Sequence, residues 1–248
     1  NAPEIALDAR PGQFIHILPP SAELMLRRPL SIHSVDRSTG LVSAIFRVVG
    51  DGTRLIAGIR TGDKLDIIGP LGNGFPIDSN HPALLVGGGI GIPPLVFLAG
   101  EMVMNGFNPD PSSYPPVTVI LGAKDIATLV CYDDFHEMGI DPVIATEDGS
   151  VGMKGLVTHA LEKASDEIQS GTVIYACGPV PMLSAVSEWS IRHGKKCIVS
   201  LENKLGCGIG ACLGCSVPVR DDSGDVHYER VCVEGPAFDA WSIAFDLM

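Results

Sequence analysis

Four cysteines crowd the last quarter of the chain, and their spacing is the strongest chemical signal in it. The segment LGCGIGACLGC (205–215) sets Cys207, Cys212 and Cys215 at C-x4-C-x2-C, and Cys232 follows after sixteen intervening residues. This is the plant-type spacing for a [2Fe-2S] cluster held by four thiolates. Three ligands from one short loop must wrap the cluster closely, which the interleaved Gly206, Gly208, Gly210 and Gly214 permit. Loop amides can then face the sulfides and tune the potential. The distant ligand fits a simple geometry. SVPVR (216–220) and VHYERV (226–231) flank DDSGD (221–225), a hairpin with a five-residue loop. Pairing Arg220 with Val226 puts Val231 opposite Cys215, so Cys232 lies one residue beyond it on the adjoining strand. Pro218 marks its strand as an edge. The alternatives are a zinc site and a lone redox pair at Cys212 and Cys215. Structural zinc usually takes two short CxxC-like pairs, and the second half here has one cysteine. A thioredoxin-like pair would open a helix and leave Cys207 and Cys232 without a role. Seven cysteines, unevenly spread, suggest metal ligation in a reducing compartment, hence the cytoplasm, rather than a disulfide scaffold. For Cys131 and Cys197, buried apolar filler is the expectation.

A second group of residues has the types that hold nucleotides. GGGIGIPP (87–94) follows an apolar strand and precedes an apolar helix, so the amides of Gly87, Gly88, Gly89 and Gly91 could cradle a pyrophosphate. The same turn also occurs merely to pack a helix on a strand. Asp125, after the next strand, stands where ribose-hydroxyl acceptors lie and favours NAD(H) over NADP(H), although Lys124 beside it weakens that inference. Cys177-Gly178-Pro179 ends a strand at the carboxyl edge, where open α/β sheets bind ligands. RRPLS (27–31) adds two guanidinium groups beside an extended segment, and GDGT (50–53) a turn with a hydroxyl. Together they make a workable diphosphate site; a solvated surface pair is the alternative.

Three units must position these groups. Residues 1–78 read as β-rich, with PGQFIHIL (11–18), LVSAIFRVVG (41–50) and KLDIIGPLG (64–72) as short strands of a small barrel and no helical period. Residues 79–198 alternate strands (ALLVGG, VTVILGAKD, DPVIATED, TVIYACGP) with helices (from Pro93-Pro94, and MLSAVSEWSIRHG), which means a parallel α/β sheet. NGFNPDPSSYPP (105–116) reads as a loop. Residues 199–248 form a small third unit. With 248 residues and 46% apolar content, a sizeable core is available and disorder is excluded. A net charge of -12 offers no positive footprint for nucleic acid. The uncharged run from Ser79 to Gly100 is nominally long enough for a bilayer, but its glycines and Pro93-Pro94 break a continuous helix. NAPEIALDARPG lacks the basic start and apolar block of a signal peptide.

PGQF (11–14), RRPLSI (27–32), GDGTRLI (50–56), GPLGNGF (69–75), VGGGIGIPPL (86–95), ACGPVPM (176–182), LGCGIGACLGC (205–215) and VCVEGPAF (231–238) occur in an order that resembles the electron-transfer subunits of bacterial class 1B dihydroorotate dehydrogenases. More broadly, the chain is similar to ferredoxin–NADP reductase-type flavoproteins with a C-terminal [2Fe-2S] domain. The resemblance implies an FAD-binding β-barrel (1–78), an NAD-binding α/β domain (79–198) and a cluster domain (199–248). It implies that Arg28, Pro29, Leu30 and Ser31 hold the flavin and its phosphate, and that Ile45, Phe46, Arg47, Gly52 and Thr53 contact the rest of FAD. It further implies that Gly87, Gly88, Gly89 and Gly91 meet the NAD pyrophosphate, that Cys177, Gly178 and Pro179 lie beside the nicotinamide with Cys177 in the catalytic position, and that Cys207, Cys212, Cys215 and Cys232 ligate the cluster. Two departures stand out. Leu30 occupies a position usually held by Tyr in the wider reductase group, and only ten residues precede Pro11, few for a first barrel strand. NADH gives up a hydride whereas a [2Fe-2S] cluster takes one electron, and a flavin handles both. The implied partner is an FMN-containing catalytic subunit that oxidises dihydroorotate to orotate, in a heterotetramer. A diaphorase-type subunit feeding ferredoxin, sulfur or another acceptor, and a non-enzymatic redox or iron sensor, are the alternatives. In the tail AFDAWSIAFDLM (237–248), Phe238, Trp241, Ile243 and Phe245 are either interface anchors or core.

Overall fold

The computed structural model describes residues 1–104 and 117–248; the loop expected at 105–116 lies outside the described residues. The first region runs α1 (Pro3–Asp8), β1 (Phe14–Leu18), β2 (Arg28–Ser31), β3 (Ser34–Asp36), β4 (Leu41–Ser43), α2 (Asp51–Ala57) and β5 (Asp66–Leu71). Strand β1 is central, antiparallel to β2 on one side and β5 on the other. Side chains alternate across a strand. Ile15 and Ile17 therefore join the local core with Ile5, Leu30, Ile32 and Ile56, while Phe14 joins the main core, which extends into the C-terminal unit.

This region differs from the expected barrel. Among the described residues it is a three-stranded sheet with a separate β3–β4 ribbon. The apolar run at 41–50 forms strand only at Leu41–Ser43. Beyond it, Ile45, Phe46, Arg47 and Val49 line a cavity instead of pairing. GDGT is the start of a helix rather than a free turn: the Gly50 amide donates to Thr53 Oγ1 at 3.1 Å as α2 begins. Helices α1 and α2, six and seven residues long, are too short to show a helical period. Pro3 at the first position of α1 pre-sets its backbone.

The second region carries β6 (Ala83–Gly88), α3 (Pro93–Met104), β7 (Val117–Ala123), α4 (Tyr132–Glu137), β8 (Val143–Thr146), β9 (Met153–Lys154), α5 (Val157–Lys163), β10 (Val173–Cys177), α6 (Val180–Arg192) and β11 (Cys197–Ser200). With β14 (Ala237–Asp239), its strands form one sheet in the order β14-β11-β10-β6-β7-β8-β9. Strand β6 is buried along its whole length, as a central strand covered on both faces must be. The chain leaves β6 toward β7 and later returns to β10 on its other side. This creates a switch point whose crevice opens at the carboxyl ends of β6 and β10. The Ser79–Gly100 run is thus divided between a strand, a turn and a helix. No helix among the described residues is long and apolar enough to cross a membrane.

The C-terminal hairpin has the expected register. Strands β12 (Ser216–Arg220) and β13 (Val226–Arg230) pair from Arg220↔Val226 to Ser216↔Arg230, and the Val231 amide donates to the Cys215 carbonyl at 3.1 Å. The unit is less separate than the sequence suggests, because β14 adds antiparallel to β11. Phe238 and Ile243 share a core with Leu84, Ile174 and Trp189, so these two tail residues are core rather than free anchors. Trp241 stays half exposed, its Nε1 donating to Ser190 Oγ at 3.1 Å.

Candidate cofactor cavities and cluster loop

The first cavity, about 340 Å³, lies between the β2 edge of the N-terminal sheet and the start of the C-terminal unit. Arg28, Pro29, Leu30, Ser31, Ile45, Phe46, Arg47 and Thr53 line it, all the sequence-assigned FAD residues except Gly52. Gly52 acts indirectly: a Cβ there would lie 2.4 Å from Arg28 Nε, so glycine lets that guanidinium lie across the start of α2 in its present position. The neighbouring Arg27 is turned away and pairs with Asp66 at 2.8 Å. An apolar wall from Phe14, Leu30, Ile45 and Phe46, with Arg28 and Arg47 as cations, suits a flat apolar ring system joined to a diphosphate. The opposite wall brings Leu205 and Val231, which adjoin the cysteine segments, into the same space. Sequence reasoning missed Ser200, Glu202 and Asn203, which also line it. Burial raises the Glu202 carboxyl above its usual range, and the Arg47 charge pulls it back.

The second cavity, about 560 Å³, opens at the switch point of the large sheet. Gly88, Gly89 and Pro179 line it, while Gly87, Gly91, Cys177 and Gly178 do not. Gly91 is pressed against the Cys177–Gly178 backbone, where a Cβ would lie 2.5 Å from Cys177 C. It packs one turn on the other. Cys177 is 1% exposed; burial foremost, and then the Glu202 charge, push its thiol far up, opposed by Ser200. A protonated thiol beneath the crevice can shape it but cannot act as a nucleophile. Asp125 is occupied elsewhere, its Oδ1 accepting from the Thr128 amide at 2.9 Å. Besides Arg47, the polar groups that line the cavity are Lys124, Thr128, Glu147 and Thr158, which come from two connections and the first turn of α5 and are hence invisible as a motif. Arg47 lines both cavities, so the two spaces abut.

The cluster loop is built from amides aimed at sulfur. Ala211 N donates to Cys207 Sγ at 3.2 Å and Cys207 N to Cys212 Sγ at 3.4 Å. Such donors, the Ile209 amide foremost, pull the Cys207 thiol down to about 6. Cys232 is pushed up to about 11 by burial and by the adjacent Cys215 side chain. The four thiols therefore meet as two contacting pairs, Cys207 with Cys212 and Cys215 with Cys232, and two pairs of thiolates are what a two-iron cluster needs. Arg230, which the sequence did not single out, buttresses the loop by donating to the Gly210 carbonyl at 2.8 Å and pairing with Glu234.

His16 joins the two ends of this machinery. It is fully buried on β1, and both ring nitrogens lack a hydrogen-bond partner. Across from it, Gly208 has φ +74°, and a Cβ there would lie 2.5 Å from His16 Nδ1. The cluster loop thus rests directly on the N-terminal sheet. Of the cysteines outside the loop, Cys197 is buried as expected. Cys131 packs against the core of the large sheet but is only half-buried, with its thiol on Asp134.

Comparison with known proteins agrees with this geometry. Residues 202–244 match the iron–sulfur cluster binding domain of dihydroorotate dehydrogenase B, and residues 85–188 the oxidoreductase NAD-binding domain. A dihydroorotate dehydrogenase B (NAD+) electron transfer subunit from Desulforamulus reducens is 39% identical over 99% of this chain and 91% of its own. Its counterpart from Geobacillus thermodenitrificans is 41% identical over 94% and 86%. Among solved structures, a chain of an NADH-dependent reduced ferredoxin–NADP oxidoreductase, described for flavin-based electron bifurcation, superposes with a TM-score of 0.85. It is 31% identical and covers 100% of this chain and 84% of that one. Ferredoxin–NADP+ reductase from Plasmodium falciparum, 15% identical over 76% of this chain and 80% of its own with a TM-score of 0.59, shares the fold.

Proposed function

Because the chain belongs to the family of dihydroorotate dehydrogenase B (NAD+) electron-transfer subunits, we propose that it carries electrons between NAD(H) and a separate subunit that oxidises dihydroorotate to orotate. It is an oxidoreductase subunit whose cofactors are FAD and a [2Fe-2S] cluster. The observation that carries this reading is the first cavity, walled on one side by the FAD segments and on the other by Leu205 and Val231 beside the cluster cysteines. When bound there, FAD supplies the exchange between a two-electron hydride and single electrons.

The residues divide the work. Arg28 and Arg47 neutralise the diphosphate groups of the two nucleotides, Arg47 facing both cavities. Leu30, Ile45 and Phe46 exclude water from the ring system. Gly88, Gly89 and Pro179 receive the second nucleotide, with the buried Cys177 thiol shaping the crevice from below. Cys207, Cys212, Cys215 and Cys232 hold the cluster, and the loop amides bonded to sulfur tune it.

The acid–base chemistry on dihydroorotate belongs to the catalytic partner that the electron-transfer subunits of this family are named for. Around the exposed Cys212, Ile209 and Leu213 are 61% and 64% exposed, an apolar rim suited to a docked protein. The partner is an FMN-containing catalytic subunit, the assembly a heterotetramer and the compartment the cytoplasm. A second reading, in which ferredoxin is the exchange partner, is favoured by the bifurcating relative of 31% identity. Dihydroorotate:NAD+ activity is expected only when both purified subunits are mixed. Full activity from this chain alone would overturn the division of labour, and fast NADH-dependent ferredoxin reduction without the partner would favour the second reading.

A further inference from the structure

His33, Cys131 and Asp134 lie outside both cavities and outside the cluster loop. They come from two different sheets' connections: His33 follows β2, whereas Cys131 and Asp134 sit at the start of α4. His33 is 9% exposed, and its Nε2 lies 3.2 Å from Asp134 Oδ1. The pair is close enough for an ion contact, yet that nitrogen makes no hydrogen bond. Cys131 is held at φ 60°, ψ 19°, a left-handed conformation that costs a non-glycine residue on the order of 1 kcal/mol. Its thiol meets Asp134. The three donor atoms all lie within 4.8 Å of one another. Donors at about 2.0–2.3 Å from a tetrahedral ion stand roughly 3.3–3.7 Å apart, and the His33–Asp134 separation is close to such an edge. Two donors that approach this closely without bonding each other point toward a common third atom.

We propose that His33, Cys131 and Asp134 form a site for a borderline divalent cation of the zinc type, with water in the fourth position. One imidazole, one thiolate and one carboxylate match Zn2+ and leave the oxygen-seeking Mg2+ and Ca2+ without enough ligands. The exchange balances simply: the ion takes the place of the Cys131 thiol proton, which leaves to solvent, while His33 ligates as neutral imidazole and Asp134 as carboxylate. Before metal arrives, burial foremost and the Asp134 charge keep that thiol protonated, pushed up to about 12. The filled site ties the connection after β2 to α4 of the second region, whose α3 is already linked to the β3–β4 ribbon by Arg37–Glu101 at 2.6 Å. It thus fixes the angle between the two cavities.

The test uses the protein loaded with FAD and cluster, so that the four loop cysteines are already engaged. It is equilibrated with micromolar ZnCl2, desalted, and assayed for zinc, iron and flavin. The wild type retains about one zinc per chain. Cys131→Ser and His33→Ala bind zinc at least roughly tenfold more weakly, with iron and flavin content unchanged. Asp134→Asn, at a partly exposed position of equal size, shows the same loss and decides the matter if a buried variant fails to fold. Zinc retained no better by the wild type than by Asp134→Asn would overturn the site.

Discussion

The cluster loop and the nucleotide cleft solve the problem of holding a cofactor in opposite ways. In the loop, three of the four cysteines proposed as ligands fall within nine consecutive residues, and a hairpin of fixed register delivers the fourth. In the cleft, the groups come from β2, the stretch after β4, the start of α2, the turn after β6 and the start of the C-terminal unit. Covalent ligation concentrates function in a few irreplaceable atoms, whereas binding by shape and charge spreads it over many weak contributors. Loss should therefore be all-or-none in the loop and graded in the cleft.

The largest expected effect is that of Cys212→Ser, which loses the cluster while FAD stays bound, read as iron, sulfide and flavin content. Full iron and sulfide in that variant would refute the ligand assignment. His16→Phe tests the joint between the regions. It keeps the bulk against Gly208 and removes both ring nitrogens. Because those nitrogens have no hydrogen-bond partner, a chelator should strip iron from His16→Phe at about the wild-type rate. His16→Ala, which empties the space under Gly208, should lose iron roughly five- to tenfold faster. Faster stripping from His16→Phe would show that a ring nitrogen, rather than bulk, supports the loop.

Arg47→Ala should weaken FAD and NAD(H) binding together, each by about 1.5–3 kcal/mol, or roughly 10–150-fold. Titration of both ligands checks this. Complete loss of FAD from this single change would break the contrast, because the cleft would then depend on one residue as the loop does. Glu234→Gln releases Arg230 and should shift Tm by no more than about 4 °C. Arg230 holds the Glu234 carboxyl down to about 2. A depressed folded value means the pair's contribution is present above the ordinary carboxylate range and is lost as pH falls toward 2. The difference in Tm between wild type and variant should accordingly vanish at low pH.

The same contrast explains what could be read from the sequence. The iron–sulfur segment and the hairpin register were legible because spacing and alternation are local. The strand–turn–helix units of the large sheet were legible too, since β6 and α3 carry unbroken apolar runs. Ile45, Phe46 and Arg47 look like strand by composition but leave the ladder after Ser43 and line a cavity, a course that no local pattern encodes. Lys124, Glu147 and Glu202 reach the cavity walls only through the fold. His16 left one trace, a lone titratable residue within an apolar strand, and Asp125 misled because a capping carboxylate looks like a ribose acceptor.

The central claim is that hydride chemistry in the cleft is converted to single electrons in the loop. Anaerobic titration of the purified, cofactor-loaded chain with NADH, followed by visible absorption and low-temperature EPR, tests it most directly. Flavin bleaching followed by the signal of a reduced [2Fe-2S] cluster is the predicted result. A bound cluster that NADH never reduces would contradict the relay and leave the redox-sensor reading in its place.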